Sequence, residues 1–305
     1  MRKKKKGVRA GDIAFNAFLY AFAGITLLIV LYPLYFILIA SFSDPTLVTN
    51  GEVLLWPKGL NVDGYIELGK RADFWIGYRN TIAYTVLGVL VGLAVNVPVA
   101  YAFSRKDLVG RRLLNAYYMF TMFFNGGLIP TYTVILNFGL YDSFWVLILP
   151  FSVSVYNIIV ARMFFSTNLP ADLWDAACID GCGNLRYFFQ IALPLSKAML
   201  AVIGLWTAVT QWNSYYNALI YIRNDNLVPL QLVLRRILIQ NQDMANQLET
   251  MSMSGEEIEA LTRRTYLAYA MKYALILISS APLLIIYPFV QKQFVRGVMI
   301  GALKG

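Results

Sequence analysis

The stretch that decides the fold class is residues 80–103, which read NTIAYTVLGVLVGLAVNVPVAYAF. These residues include no Asp, Glu, Lys or Arg, and the flanking charges are Arg79 and Arg105. A bilayer core about 30 Å thick is crossed by about 20 consecutive apolar residues in an α-helix. Residues 80–103 are therefore predicted to form a transmembrane helix.

Five further intervals of the chain are long and apolar, and Arg162, near the end of one of them, is their one charged residue. Together with the first interval they predict six spans, at about 13–41, 80–103, 113–137, 144–165, 198–220 and 273–291. The sequence thus predicts an all-α, polytopic membrane protein with six transmembrane helices.

The composition agrees with this fold class. Hydrophobic residues make up 58% of the 305 residues and charged residues 14%, whereas soluble globular domains carry about 25% charged residues. A chain with so few charges cannot cover its surface with solvated groups. An ordinary cytosolic enzyme, a disordered protein and a collagen-like chain are therefore excluded.

The residues that usually carry catalysis or bind metals are scarce. The chain contains no histidine and two cysteines, Cys178 and Cys182. The lack of histidine removes Ser-His-Asp and Cys-His catalysis and every His-ligated metal site. One pair of cysteines is too sparse for a structural zinc site. We therefore predict no catalytic residue, no metal and no cofactor in this chain.

The distribution of basic residues predicts the orientation. If the N-terminus lies inside, the cytoplasmic segments carry a net charge of +11 and the outside segments −2, within the total of +9. Because Lys and Arg concentrate on the cytoplasmic side of membrane proteins, both termini are predicted to be cytoplasmic. Topology accounts for the positive charge, so no nucleic-acid partner is expected.

These spans divide the chain into two predicted parts. Residues 1–75 comprise a basic N-terminus, the first transmembrane helix and an outside loop, and residues 76–305 form a membrane core with the other five spans. The core contains a cytoplasmic loop at 166–197 and a long outside loop at 221–272.

The predicted spans lack the ionisable groups of ion-coupled transporters, and the chain lacks a common ATP-binding motif. No Asp, Glu or Lys lies inside a predicted span, although ion-coupled transporters need ionisable groups there. The chain also lacks the phosphate-binding motif G-x-x-x-x-G-K-[ST]. If the protein is a transporter, its energy must come from another subunit; a simple channel is disfavoured because no filter-like motif is present.

The cytoplasmic loop contains the most informative segment. Residues 168–183 read NLPADLWDAACIDGCG and predict a short helix, with Asn168 as its N-cap and Gly181 supplying the left-handed turn that ends it. On composition alone, this segment could be an interfacial helix–turn–helix with no function beyond joining two spans.

The same loop resembles the EAA signature of ATP-binding-cassette (ABC) importer permeases. The resemblance rests on Asp175-Ala176-Ala177, Asp180-Gly181 and, after nine residues, Ile191-x-Leu193-Pro194. In that family the loop is a coupling helix that docks into a cleft of the cytoplasmic ATPase. Two residues depart from the family pattern, since Asp175 replaces the usual Glu and Lys197 stands where many members have Pro.

The C-terminal segment 287–305 is similar to the tails of carbohydrate-uptake permeases of the maltose type, and Asp142-Ser143, Asn168-Leu169-Pro170 and Trp212-Asn213 also look like that family. The resemblance extends to permeases of Gram-positive bacteria that import oligosaccharides released from complex polysaccharides. It implies a location in the bacterial plasma membrane.

The resemblance also implies a set of partners. These are a homologous permease subunit, two ABC ATPase subunits that bind ATP and Mg²⁺, an extracellular solute-binding protein and an oligosaccharide. The chain itself would be a non-catalytic subunit that couples the motion of the ATPases to alternating access.

Aromatic rings and neutral polar groups are the side chains that recognise sugars. On this ground the candidate substrate path comprises Gln211, Trp212, Asn213, Asn125 and Tyr156. The alternative is that the aromatic residues anchor the membrane interface and that the amides link helices.

The outside loop 221–272 is predicted to contact the binding protein through Asn241, Gln242 and Asn246, because the family carries such a segment there. Two other functions stay open: a permease of an amino-acid or peptide ABC importer, and an integral-membrane enzyme. The tail and Trp212-Asn213 disfavour the first, and the lack of histidine and metal ligands disfavours the second.

Overall fold

The computed structural model describes residues 10–250 and 255–302, with the backbone alone at residues 10, 12, 14, 241–250, 255–261, 287 and 289–302. Within these ranges the regular structure is helical and contains no strand. The helices are α1 (Ala10–Ser41), α2 (Pro45–Thr49), α3 (Asp63–Lys70), α4 (Ala72–Ser104), α5 (Arg111–Phe123), α6 (Leu128–Asn137), α7 (Val155–Asn168), α8 (Ala171–Ile179), α9 (Asn184–Tyr187), α10 (Leu193–Leu195), α11 (Lys197–Trp212), α12 (Tyr215–Tyr221), α13 (Leu230–Thr250) and α14 (Gly255–Ala302). Short 3₁₀ turns occur at Phe144–Leu147 and Asp225–Leu227, and a π-helical turn occurs at Phe188–Ala192.

Three helical stretches among the described residues are long and apolar enough to cross a bilayer: Phe15–Ser41, Ala72–Ser104 and Thr262–Ile286. Two pairs of helices meet the same criterion when each pair is taken together. Arg111–Phe123 and Leu128–Asn137 are bent by 113°, and Asn184–Leu195 and Lys197–Trp212 by 81°. The structure therefore provides three spans, or up to five if each bent pair is one span.

The prediction of one continuous helix at 113–137 is wrong. The chain leaves the helix after Phe123 and re-enters it at Leu128. Gly127 has φ +81°, a conformation that residues with a Cβ rarely adopt. The carboxamide oxygen of Asn125 accepts a hydrogen bond from the Gly127 N–H at 3.0 Å and holds the turn.

The prediction of a continuous helix at 144–165 is also wrong. A 3₁₀ turn ends at Leu147, and the helix α7 begins only at Val155. Pro150 lies between them, and proline has no N–H to donate to a helix. Ser154 then caps α7, since its hydroxyl accepts the N–H of Asn157 at 3.4 Å. The result is a non-helical segment in the predicted fourth span.

Two other boundaries differ from the prediction. The fifth predicted span, 198–220, is interrupted between Trp212 and Tyr215. The predicted outside loop 221–272 is mostly helical, because α13 and the first part of α14 occupy it. The charged residues of this segment indicate contact with water, but they do not exclude a helix.

The chain forms two compact units. The first comprises the described residues of 1–70 and 238–278. In it α3 lies directly against α14, since a Cβ on Gly64 would lie 2.3 Å from the carbonyl oxygen of Ala270. The hydroxyl of Tyr65 donates a hydrogen bond to Ser41 at 2.7 Å.

The second unit comprises 71–237 and the described residues from 279 onward. Helices α4, α7 and α11 pack together in it and enclose a core that includes Ala100, Ala161 and Ile203. All the residues of the candidate sites described below belong to this unit, apart from those of the predicted binding-protein contact.

Candidate coupling segment and translocation path

The helix α8 carries the first half of the sequence signature. Its N-cap is Pro170, and Asp172 lies in its first turn, where a carboxylate stabilises the positive end of the helix dipole. Asn168 is not the N-cap that the sequence predicted, because it is the last residue of α7. Proline cannot donate to a preceding helix, and it therefore separates α7 from α8.

The turn that ends α8 is the predicted one. Gly181 has φ +73°. Its N–H donates to the carbonyl of Cys178 at 3.0 Å, and the N–H of Cys182 donates to the carbonyl of Ala177 at 2.9 Å. These two bonds form a Schellman motif, in which a left-handed residue reverses the chain after a helix. The end of α8 is thus fixed by backbone geometry.

The two alanines of the signature differ in burial. Ala177 is 6% exposed and packs in the core of the second unit, whereas Asp175, Ala176 and Asp180 are exposed. Ala177 therefore packs α8 against the core of the second unit. The exposed side of the segment also presents large apolar side chains, with Ile179 87% exposed.

The second half of the signature anchors the segment. Ile191 and Leu193 are partly buried and pack against the same core, and Pro194 is exposed. Ile191 lies in the π-helical turn, and Leu193 begins the short helix α10. The two apolar residues therefore hold the end of the loop, and Pro194 remains at the surface.

An arginine from another loop stacks on α8. The guanidinium carbon of Arg105, just after α4, lies 3.7 Å from the centroid of the Trp174 ring. The same guanidinium donates two hydrogen bonds to Asp107, each 3.0 Å long. This contact with Arg105 holds the pKa of the Asp107 carboxyl below its ordinary value. Arg105 is therefore held by the Trp174 ring on one side and by the Asp107 carboxylate on the other.

Aromatic rings continue this contact toward α4. The rings of Trp174 and Tyr187 meet edge-to-face with centroids 5.0 Å apart. Tyr187 stacks on Tyr101 at 6.3 Å, and Tyr101 also contacts Phe188 at 4.9 Å. Because Tyr101 belongs to the last turn of α4, this cluster of rings joins α8 to the cytoplasmic end predicted for that helix.

Two residues of the predicted substrate path are buried between helices. Trp212 is 4% exposed, and its indole N–H donates to the carbonyl of Ser279 at 2.9 Å. Gln211 is 2% exposed, and its amide donates to the Ser152 hydroxyl at 3.1 Å. In this conformation both side chains hold helices together.

The other three residues of the predicted path are exposed. Asn213 donates to the carbonyl of Val209 at 2.9 Å, and Asn125 supports the turn at Gly127. Tyr156 is 52% exposed, and its ring lies 5.5 Å from that of Trp206. The structure thus brings Tyr156 together with an aromatic residue that the sequence reasoning did not select.

The side chain of Asn96 satisfies backbone hydrogen-bonding groups in the non-helical segment of the predicted fourth span. The amide of Asn96 donates to the carbonyl of Ser152 at 3.0 Å, and its oxygen accepts the N–H of Ser154 at 3.0 Å. Gly92 makes this approach possible, because a Cβ there would lie 2.9 Å from the Ser152 carbonyl oxygen. Asn96 therefore replaces the hydrogen bonds that the missing helix would have supplied.

A cavity of about 420 Å³ adjoins this segment. Residues 150–154 form part of its wall, together with side chains from α7 and α11 that include Tyr156, Asn157, Trp206 and Thr210. Sequence reasoning missed Trp206. The combination of Pro150 with two nearby serines inside an apolar interval was the signal that could have indicated the break.

The residues predicted to contact a binding protein, Asn241, Gln242 and Asn246, lie in α13. Their side chains are outside the described residues. Within the described part of the chain, no group of three His, Cys, Asp or Glu side chains is placed to hold a metal ion.

One comparison decides the family. The chain is 35% identical over 291 residues to the polygalacturonan/rhamnogalacturonan transport system permease protein YtcP of Bacillus subtilis (strain 168), across 95% of this chain and 98% of that protein. The chain belongs to the carbohydrate-uptake permeases of ABC transporters. A second protein of the same organism, LplC, is 35% identical across 100% of this chain and 98% of its own length.

A solved structure has the fold of this permease. It is described as a bacterial ABC transporter involved in the import of the acidic polysaccharide alginate. The matched chain has a TM-score of 0.82 and 32% identity, and the match covers 94% of this permease and 99% of that chain. No protein-family model matches the sequence. The permease is therefore a multi-pass bacterial membrane protein of an ABC transport system.

Proposed function

We propose that the chain is the translocating permease subunit of a binding-protein-dependent ABC importer for oligosaccharides. The observation that carries this proposal is full-length similarity to YtcP, which is named as the permease of a polygalacturonan/rhamnogalacturonan transport system. The names of these relatives give no support to an amino-acid or peptide substrate. Acidic oligosaccharides are the first to test, because YtcP is named for polygalacturonan and the solved structure for alginate.

The residues proposed to couple the permease to its ATPases are Asp175, Ala176, Ala177, Asp180, Gly181, Ile191, Leu193 and Pro194. The exposed residues Asp175, Ala176 and Asp180 support direct contact with an ATPase. Buried Ala177 and partly buried Ile191 and Leu193 support an indirect role, since they hold α8 on the core. The ATPases would bind ATP and Mg²⁺ and carry out the hydrolysis.

The proposed topology has six spans and two cytoplasmic termini. It rests on the net charge of +11 on one side and −2 on the other. The two bent helix pairs support the third and fifth spans, and α7 with the preceding 3₁₀ turn supports the fourth. The division of the chain into the parts 1–75 and 76–305 remains a prediction.

The proposed substrate path includes Gln211, Trp212, Asn213, Asn125 and Tyr156. The exposed residues Asn213, Asn125 and Tyr156 would contact the sugar. Gln211 and Trp212 would set the spacing of the helices around it, which agrees with their buried hydrogen bonds. Asn241, Gln242 and Asn246 are proposed to contact the binding protein from α13.

The test is transport by the complete importer. This permease would be reconstituted in proteoliposomes with its homologous partner, two ATPase subunits and the binding protein. We expect ATP-dependent uptake of an oligogalacturonate or another oligosaccharide that requires the binding protein. Uptake of peptides but no oligosaccharide by the same complex would contradict the proposal.

A further inference from the structure

The cavity of about 420 Å³ lies where the predicted fourth span is not helical. We propose that it is a subsite for a pyranose ring of the transported oligosaccharide, with the rings of Tyr156 and Trp206 as its apolar wall. This inference rests on the proposed function, because the bound ring must belong to a sugar that crosses the membrane here. Its volume lies within the usual range for small-molecule sites, about 300–1,000 Å³.

The non-helical backbone of residues 150–154 agrees with a water-filled cavity. In hydrocarbon, non-helical backbone is tolerated where it is buried in protein or lines water. In residues 150–154, Asn96 bonds the backbone of Ser152 and Ser154, and the segment lines the cavity. In secondary transporters, substrate sites are typically formed by discontinuous transmembrane helices of this kind. The cavity thus has the setting of a translocation site.

The aromatic pair supplies the apolar surface that a sugar ring needs. The centroids of Tyr156 and Trp206 are 5.5 Å apart, and the planes are inclined by 42°. Tyr156 is 52% exposed, so its ring is not fully used in packing α7 on α11. A pyranose has faces of C–H groups, and aromatic faces remove such apolar surface from water.

Neutral polar groups surround the aromatic pair. The Thr210 hydroxyl donates to the carbonyl of Trp206 at 2.9 Å, which leaves its oxygen able to accept from a sugar hydroxyl. Asn157 and Ser154 add an amide and a second hydroxyl to the lining. Among the residues that the structure describes, no charged side chain lines the cavity. The subsite would therefore bind ring hydroxyls and leave a uronate carboxylate to be recognised elsewhere.

The first test removes one ring at a time in the complete reconstituted importer. With Trp206→Ala or Tyr156→Ala, we expect oligogalacturonate uptake at saturating binding protein to fall roughly tenfold, which corresponds to about 1.4 kcal/mol. Trp206→Phe and Tyr156→Phe keep an aromatic face and should retain most uptake. The matched control is Trp145→Ala, which removes a half-exposed indole outside the cavity.

The second test detects the sugar directly. Thr210→Cys is introduced together with Cys178→Ser and Cys182→Ser, and its alkylation is followed in the assembled complex. Oligogalacturonate delivered by the binding protein should slow alkylation severalfold. Thr133→Cys, an exposed threonine of α6 outside the cavity, should react at the same rate with and without sugar.

The outcomes separate this inference from the proposed function. If the unmodified importer transports no oligosaccharide, the proposed function fails. If it transports sugar, but the alanine variants do so normally and Thr210→Cys is not protected, the subsite alone is overturned. If an alanine variant assembles poorly, the protection of Thr210→Cys decides. Alkylation that responds to lipid composition and not to sugar would assign the cavity to lipid and overturn the inference.

Discussion

The guanidinium carbon of Arg105 lies 3.7 Å from the centroid of the Trp174 ring, so the loop after α4 is in contact with the helix that carries the EAA-like signature. Trp174 in turn meets Tyr187 edge-to-face, and Tyr187 stacks on Tyr101 near the end of α4. A displacement of α8 by an ATPase would therefore reach α4 through these contacts. Arg105 would act as a positioning residue for coupling.

Replacement of Arg105 by alanine should weaken the response of the ATPases to the binding protein. A cation–π contact contributes about 0.5–2 kcal/mol, so we expect a several-fold fall in stimulated ATPase activity and uptake with normal assembly. Arg105→Lys should restore only part of both, because an ammonium lacks the planar face that stacks on indole. Arg112→Ala, an exposed arginine of α5, is the control. Equal activity of the Arg105→Ala and Arg112→Ala variants would refute the positioning role.

The ion pair of Arg105 with Asp107 should not titrate near neutral pH. The pKa of Asp107 is below its ordinary value because Arg105 donates hydrogen bonds to its charged form. A carboxyl with a lowered pKa keeps its contribution above the ordinary value of about 3.9 and loses it as the pH falls through the lowered pKa. Binding-protein-stimulated ATPase activity should thus show no Asp107-dependent step between about pH 6 and 8. The measurement is a pH profile of Asp107→Asn beside the unmodified protein, and the two profiles should have the same shape.

A Cβ at the end of α8 should uncouple the permease. Gly181→Val places a β-branched residue at φ +73°, where the left-handed conformation costs about 1–2 kcal/mol. Uptake should fall strongly while the protein remains in the membrane. Gly183→Val is the matched control, because Gly183 has φ −78° and no neighbour that a Cβ would meet. If both variants transport normally, the geometry of this turn has no role in coupling.

The contact of α4 with the non-helical part of the fourth span should be sensitive to a single methyl group. In Gly92→Ala the new Cβ would lie 2.9 Å from the Ser152 carbonyl oxygen, and the backbone there cannot rotate away. We expect a loss of about 1–3 kcal/mol in stability, read as a lower melting temperature of the purified permease. Gly204→Ala, whose Cβ would have its nearest neighbours at 3.8 Å, should melt at or above the temperature of the unmodified protein, because alanine favours a helix over glycine. A melting temperature for Gly92→Ala as high as that of Gly204→Ala would contradict the packing.

The proposed topology can be tested with single cysteines in a Cys178→Ser/Cys182→Ser background. Thr46 and Gly110 are both exposed, and the charge distribution predicts that they lie on opposite sides of the membrane. An impermeant thiol reagent added to intact cells should label Thr46→Cys and leave Gly110→Cys unlabelled until the cells are opened. Labelling of Gly110→Cys in sealed cells would reverse the orientation.

The proposed binding-protein contact requires substitutions that keep α13 helical. Glycine lowers helix stability by about 1 kcal/mol per residue relative to alanine, so Asn241, Gln242 and Asn246 should each be changed to alanine. Basal ATPase activity and assembly should persist, whereas stimulation by the binding protein should fall. Unchanged stimulation in the triple variant would show that these amides are not needed at the interface.

The sequence predicted those features that depend on local chemistry. The apolar intervals indicated spans, and Gly181 indicated a left-handed turn because few other residues adopt that conformation without strain. The family followed from the spacing of the signature residues across the loop. These inferences need neither the packing of one helix on another nor the position of the chain in space.

Features that depend on packing were not predictable in the same way. Nothing in Asp175-Ala176-Ala177 indicates which alanine faces the core, because that depends on where Tyr187 and the other core residues lie. Pro150 could have indicated the break in the fourth span, but not that Asn96, a residue of another helix, supplies the hydrogen bonds there. The sequence also gave no sign that the indole N–H of Trp212, a candidate path residue, is bonded to the carbonyl of Ser279.

The non-helical segment of the fourth span also has a consequence for biogenesis. The backbone at Ser152 and Ser154 is completed by Asn96, and the Ser152 hydroxyl by Gln211. The Ser152 hydroxyl also donates to the carbonyl of Ile148 in its own segment, so the backbone groups bonded by Asn96 are the ones that this segment cannot satisfy alone. Asn96 belongs to α4, which is synthesised earlier. We therefore expect the fourth span to enter the bilayer packed against α4, because without that helix its backbone would meet lipid with unpaired polar groups.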